Sequence, residues 1–188
     1  MASVRSLTLV SLLPMLMAVA ACGDSESASE SKDTDVPSGS ASTVDEAFVT
    51  RADAVCEPYA TYTATNYLRL AHFNRYAPDP DLLPKVAEHL EQNPAYKELV
   101  PGLEALGDPE SGTDAWATVL DDFRATAMTV KDEAAAARGA DAERFSSLVS
   151  RLEEDMTKLY ADLNPAGLSG TSCAKAEGDP LKTKTAGG

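Results

Sequence analysis

The chain has 188 residues, 44% of them hydrophobic and 24% charged, with a formal charge of −14 at neutral pH. Charge of that sign repels phosphate backbones and anionic headgroups, which excludes nucleic-acid binding and attachment to a membrane surface by charge alone. The length, less a leader and a linker, leaves one domain of ordinary size.

Residues 1–21 read as an export signal. They hold one basic residue, Arg5, no acidic residue, and an apolar run from Leu7 to Ala21, the charged start, apolar core and small-residue end of a signal peptide. That run is only 15 residues long and carries Pro14, too short to span a bilayer, which takes about 20 apolar residues. Val19-Ala20-Ala21-Cys22 gives an aliphatic residue, two small residues and a cysteine, and the chain then turns polar at Gly23-Asp24-Ser25. This resembles the lipobox of bacterial lipoproteins. The resemblance implies cleavage before Cys22, a diacylglyceryl group on its thiol, and tethering to the extracytoplasmic face of the cell membrane through that lipid. An ordinary secretory signal cleaved at the same place would leave Cys22 as an odd free thiol.

Residues 22–43 form the expected lipidated cysteine and disordered linker. Gly23 to Thr43 is rich in Ser, Asp and Glu and has too little apolar surface to offset the entropy of ordering. As a flexible coil it would span roughly 25 Å, lifting the domain off the headgroups.

Residues 44–173 read as an all-α domain. Thr43 is the expected N-cap of a first helix reaching about Tyr76, with Phe48, Ala52, Val55, Tyr59, Tyr62, Asn66, Leu70 and Phe73 on its apolar face. Pro78 and Pro80 stop it. A second helical stretch starts near Asp81 on Leu83, Val86 and Leu90, is interrupted at Asn93-Pro94, and resumes on Tyr96, Leu99, Val100, Leu103 and Leu106 with a kink or break expected at Pro101-Gly102. A turn covers Gly107 to Gly112. Thr113 then caps a third helix on Trp116, Val119, Leu120, Phe123, Ala127, Val130 and Ala134, closed by Arg138 and a terminal Gly139. The fourth, on Phe145, Leu148, Val149, Leu152, Met156, Leu159, Tyr160 and Leu163, ends at Asn164-Pro165. Four amphipathic helices with short connections predict an antiparallel four-helix bundle. The stretch from Gly167 is polar and loose except where Cys173 pins it, and residues 174–188 read as a disordered tail.

The chain holds three cysteines, Cys22, Cys56 and Cys173. With lipid on Cys22, Cys56 and Cys173 are left to pair, as thiols outside the cytoplasm tend to do. The alternative, a metal or redox pair, lacks a neighbouring Cys or His at ligand spacing.

Phe48 to Cys56, reading FVTRADAVC, resembles the first helix of a family of small, poorly characterised actinomycete lipoproteins. Leu99 to Leu106, LVPGLEAL, is similar to that family's mid-chain proline helix, and Gly167 to Cys173, GLSGTSC, to the stretch before its second cysteine. The resemblance implies a disulfide-closed helical bundle and no known activity.

No catalytic motif is present: no G-x-S-x-G, phosphate-cradling glycine loop, C-x-x-C or H-E-x-x-H. His72 and His89 fall on different predicted helices, so no metal site and no cofactor are expected. Asp121-Asp122 and Glu153-Glu154-Asp155 read as solvated faces, because adjacent acids on a helix point apart. Tyr59, Tyr62, Asn66 and Arg69 share one stripe of the first predicted helix. Tyrosine presents an apolar ring and a hydroxyl that needs a partner, so these four are the candidate ligand or partner surface. The expectation is a non-enzymatic binding or interaction module facing an unidentified protein or small molecule. The alternative is a carrier or sensor holding a small apolar ligand between helices.

Overall fold

The computed structural model describes residues 43–176 and Gly178. The expected export signal, Cys22, the expected linker up to residue 42 and the last residues of the expected tail lie outside the described residues. The described chain is helical, without strands, and is closed by a Cys56–Cys173 disulfide.

The first helix, α1, runs Glu46–Thr65. Asp45 caps it, not Thr43: one carboxylate oxygen accepts from the Phe48 N–H at 2.8 Å and the other from the Glu110 N–H at 2.9 Å. A charged acceptor that serves two backbone donors outcompetes a hydroxyl. These bonds, Phe48 first, hold the Asp45 carboxyl below its ordinary range. Buried Val44 and half-buried Val49 flank the cap at the spacing of a hydrophobic staple.

The helix stops at Thr65, well short of the expected Tyr76. Its end is dense in side chains that compete for backbone carbonyls. The Thr65 hydroxyl donates to the Thr61 and Tyr62 carbonyls, and both the backbone N–H and the side-chain amide of Asn66 donate to the Tyr62 carbonyl. Residues 66–79 then form an irregular strap. Its apolar residues are used, but not on a helix: Leu68 is buried, Leu70 and Phe73 pack beside it, and Phe73 meets Phe145 edge-on at 6.2 Å.

A single 3₁₀ turn, Pro80–Leu82, leads into α2, Leu83–Gln92. Asn93 breaks the stretch as expected, its side-chain oxygen accepting from the Ala95 N–H at 3.0 Å. A π-helical turn, Ala95–Leu99, passes straight into α3, Val100–Glu104. The expected irregularity therefore falls one turn ahead of Pro101, which sits in the first turn of α3, where a missing N–H costs least. Gly102 serves close packing: a Cβ there would lie 3.0 Å from Val55 of α1.

The long helices α4, Thr113–Arg138, and α5, Ala142–Leu163, form the centre. The N-cap of α4 is Gly112, at φ 74, rather than Thr113. At the other end Gly139 keeps φ −79, and Ala140 takes the left-handed conformation at φ 52. The Asp141 N–H closes the turn onto the Ala136 carbonyl at 3.0 Å, and Asp141 caps α5 through the Arg144 N–H. The glycine thus stands one residue before the position that needs it. Ala140→Gly should stabilise the protein by roughly 1 kcal/mol, because an L-residue in this conformation is disfavoured by about that much. Urea melts check this, and an unchanged midpoint would contradict it.

Past α5, Gly167 at φ 79 turns the chain back, with the Leu168 N–H on the Leu163 carbonyl. The segment is more ordered than its polarity suggests. Ala166 and Leu168 are buried, and a last short helix, α6, runs Cys173–Ala176, carrying order past the boundary expected at Cys173. Asp53 accepts from the Ser172 N–H at 2.5 Å, and Thr63 donates to the Ala176 carbonyl at 2.9 Å, so both ends of α6 are held by α1.

Two apolar clusters result. One joins α1, the π turn, α3 and α6 to the N-terminal half of α4 and the C-terminal end of α5, with Phe48 edge-on to Trp116 at 4.8 Å. The other joins the strap and α2 to the opposite halves of α4 and α5.

Candidate functional site

Only part of the tyrosine stripe stays on one helix: Tyr59 and Tyr62 lie in the last turns of α1, Asn66 is its C-cap, and Arg69 lies beyond its end. Tyr59 packs half-buried against the first cluster, and burial, then the Glu98 charge, pushes its hydroxyl pKa up. Tyr62 donates to the Gln92 carbonyl at 3.3 Å, tying α1 to the end of α2. Asn66 is spent on the helix end, and Arg69 is exposed on the strap. His72 lies on the strap at φ 61 and His89 in the last turn of α2. Among the described residues no group of three His, Cys, Asp or Glu could hold a metal ion.

What the fold does assemble is an open pocket along α5, bordered by Arg75 of the strap. It has a volume of about 420 Å³ and is lined by Val149, Leu152, Met156, Thr157, Tyr160, Arg75 and Glu153. Glu153 is its polar centre. One carboxylate oxygen accepts from the Arg75 guanidinium and from the Tyr76 hydroxyl, both at 2.5 Å, and the guanidinium also donates to the Tyr76 hydroxyl at 2.8 Å. The Arg75 carbon lies 4.9 Å from the Tyr76 ring centroid. Tyr76 and Tyr160 are 53% and 40% exposed, two of the three large apolar side chains most open to solvent among the described residues. Arg75 and Tyr76 were expected at the end of a helix; on the strap they reach across to α5.

A second constellation lies inside the α4–α5 interface. Asp122, Thr126, Thr129 and Glu133 form a polar stripe on α4, Asp122 only 3% exposed and Glu133 wholly buried. Lys158 donates to Asp122, Thr129 donates to Asp155 at 2.6 Å, and Thr126 donates back to the Asp122 carbonyl. As residue numbers rise along α4 they fall along α5, so these bonds fix an antiparallel register. The acids at 122 and 155 are therefore not solvated-face charge. On α4 the 4-3-4 spacing of Asp122, Thr126, Thr129 and Glu133, running beside the apolar stripe, is the sequence signal for a helix buried on two sides.

Burial raises the Asp122 carboxyl pKa above 3.8; Lys158 opposes the rise and Asp162 adds to it. An acid whose folded pKa is raised keeps a proton that the unfolded chain has released. Between the unfolded value and the folded one, stability therefore falls as pH rises. Lys158→Ala removes the opposing charge, so it should destabilise the protein at neutral pH, and the fall should extend to higher pH. Asp122→Asn in the same background should recover most of the loss, because the buried charge is then gone. Urea melts from acid to neutral pH measure this; no recovery in the double variant would contradict it.

Among the described residues no helix is long and apolar enough to cross a membrane. No family model, curated protein or solved structure matches the chain.

Proposed function

We propose that this chain is a lipid-anchored, extracytoplasmic, non-enzymatic binding module, tethered through Cys22 and a flexible linker and presenting a helical domain to a partner in the envelope. The Cys56–Cys173 bond carries the reading of the compartment, because disulfides persist where the surroundings are oxidising. The lipobox-like Val19-Ala20-Ala21-Cys22 supports the anchor, and the linker's composition supports a free-standing domain. We read α1, the α2–α3 stretch, α4 and α5 as a modified antiparallel four-helix bundle with one broken member, in keeping with the likeness to the actinomycete lipoproteins. The second reading is a carrier or sensor of a small, apolar ligand held between helices; the groove along α5, lined by that one helix and Arg75, supports a small-ligand site by its size alone.

The anchor is tested by Cys22→Ser. The wild-type protein should partition into the detergent phase, and the variant should remain unprocessed or appear in the medium, because stable anchoring needs the acyl chains. A Cys22→Ser protein of normal mature mass that still partitions into detergent would contradict the proposal.

A further inference from the structure

We infer that the pocket beside α5 takes an amphipathic cation, an ammonium group on an aryl or alkyl body, and that Arg75 is the built-in occupant of its cation position. The inference rests on the small-ligand reading above and is independent of the lipid anchor. A cation already sits there. The Arg75 guanidinium lies against the Glu153 carboxylate at 2.5 Å and near the Tyr76 ring at 4.9 Å. A carboxylate and an aromatic ring together are the means by which proteins hold organic ammonium ions. Below that position the lining is apolar, Val149, Leu152 and the adaptable thioether of Met156, with the Tyr160 ring exposed at its edge.

The charge of the surroundings selects the sign of the ligand. The chain carries −14 overall, which concentrates cations at its surface. The guanidinium's charge is already balanced by the Glu153 carboxylate, and exposed Glu154 follows on α5, so an anion entering here meets uncompensated negative charge. A cation only replaces like with like. Its ammonium takes the place of the guanidinium on Glu153, and the Arg75 side chain, 24% exposed, turns outward from its mount on the strap. That mount is secured independently by Phe73 against Phe145 and by buried Pro78. No covalent step is involved.

The test compares three probes with one body: 4-phenylbutylamine, 4-phenylbutanol and 4-phenylbutyrate, titrated into the purified protein and followed at the Met156 methyl resonance. The amine should bind roughly fivefold or more tightly than the alcohol, with the butyrate weakest, as expected for a partly exposed cation–carboxylate and cation–ring site. Glu153→Gln should abolish the amine's advantage. Arg75→Ala should strengthen amine binding, since the competing cation is gone; it keeps Glu153 and so decides the matter even if Glu153→Gln fails to fold. Butyrate binding at least as tightly as the amine would overturn the cation assignment while leaving a small-molecule site. An amine advantage that survives Glu153→Gln would also overturn it. No shift of the Met156 methyl with any probe would overturn both the cation assignment and the small-ligand reading.

Discussion

Loss of the Cys56–Cys173 bond should cost about 4 kcal/mol, since a crosslink closing a loop of this length restricts the unfolded chain by about that much. The two residues are 117 apart in sequence, and both sulfurs lie in the first apolar cluster. The effect should be uneven. Of the elements beyond α5, α6 is a four-residue helix held by the bridge, by two hydrogen bonds to α1, and by the burial of Cys173 and Ala176. A Cys56→Ser/Cys173→Ser variant should therefore expose residues 167–176 to protease before the long helices open, since local opening follows local stability. Urea melts and limited proteolysis read the two effects. An unchanged midpoint, or cleavage starting in α4 or α5, would contradict this account of the tail.

The second large effect belongs to the α5 face. Leu152 is 3% exposed, packed in the second cluster with Val149 and Phe145. Leu152→Asp should cost about 4 kcal/mol or more, because it places an unpaired charge in an apolar site and removes a core side chain. Glu154→Lys, on the exposed side of the same turn, should change stability little. Asp155→Lys is not a neutral control, because Asp155 accepts the Thr129 hydroxyl inside the α4–α5 interface. Equal losses for Leu152→Asp and Glu154→Lys would mean that the face is misassigned.

These residues also show what the sequence made legible. The apolar stripes of α4 and α5 were readable because each repeats over many turns, and Leu152, Phe145, Trp116 and Phe123 are all buried as their spacing implies. The cysteine count left Cys56 and Cys173 to pair, and they do. The end of α1 was hidden. Leu70 and Phe73 keep helical spacing but are used on a strap, and the signal that ends the helix is Thr65-Asn66, whose hydroxyl and amide donate to the Thr61 and Tyr62 carbonyls. The candidate site depended on that boundary. Arg69 joins the face of Tyr59 and Tyr62 only if the helix continues past Asn66, whereas Arg75, Tyr76 and Glu153 meet on a strap that begins where it stops. Their separation, with Glu153 78 residues beyond Arg75, is a tertiary fact with no local signature. Asp122 and Asp155 misled for a related reason: in so acidic a chain, a buried carboxylate looks like any other until its lysine or threonine partner is placed.

The central claim is that this is an anchored protein of an oxidising compartment. Intact-mass analysis of the native protein, extracted from membranes without reductant and treated with a thiol-alkylating reagent, tests it most directly. The account predicts a chain that begins at Cys22, carries the added mass of a diacylglyceryl group, and takes up no alkyl group at Cys56 or Cys173. An unmodified Cys22, or alkylation of both Cys56 and Cys173, would contradict it.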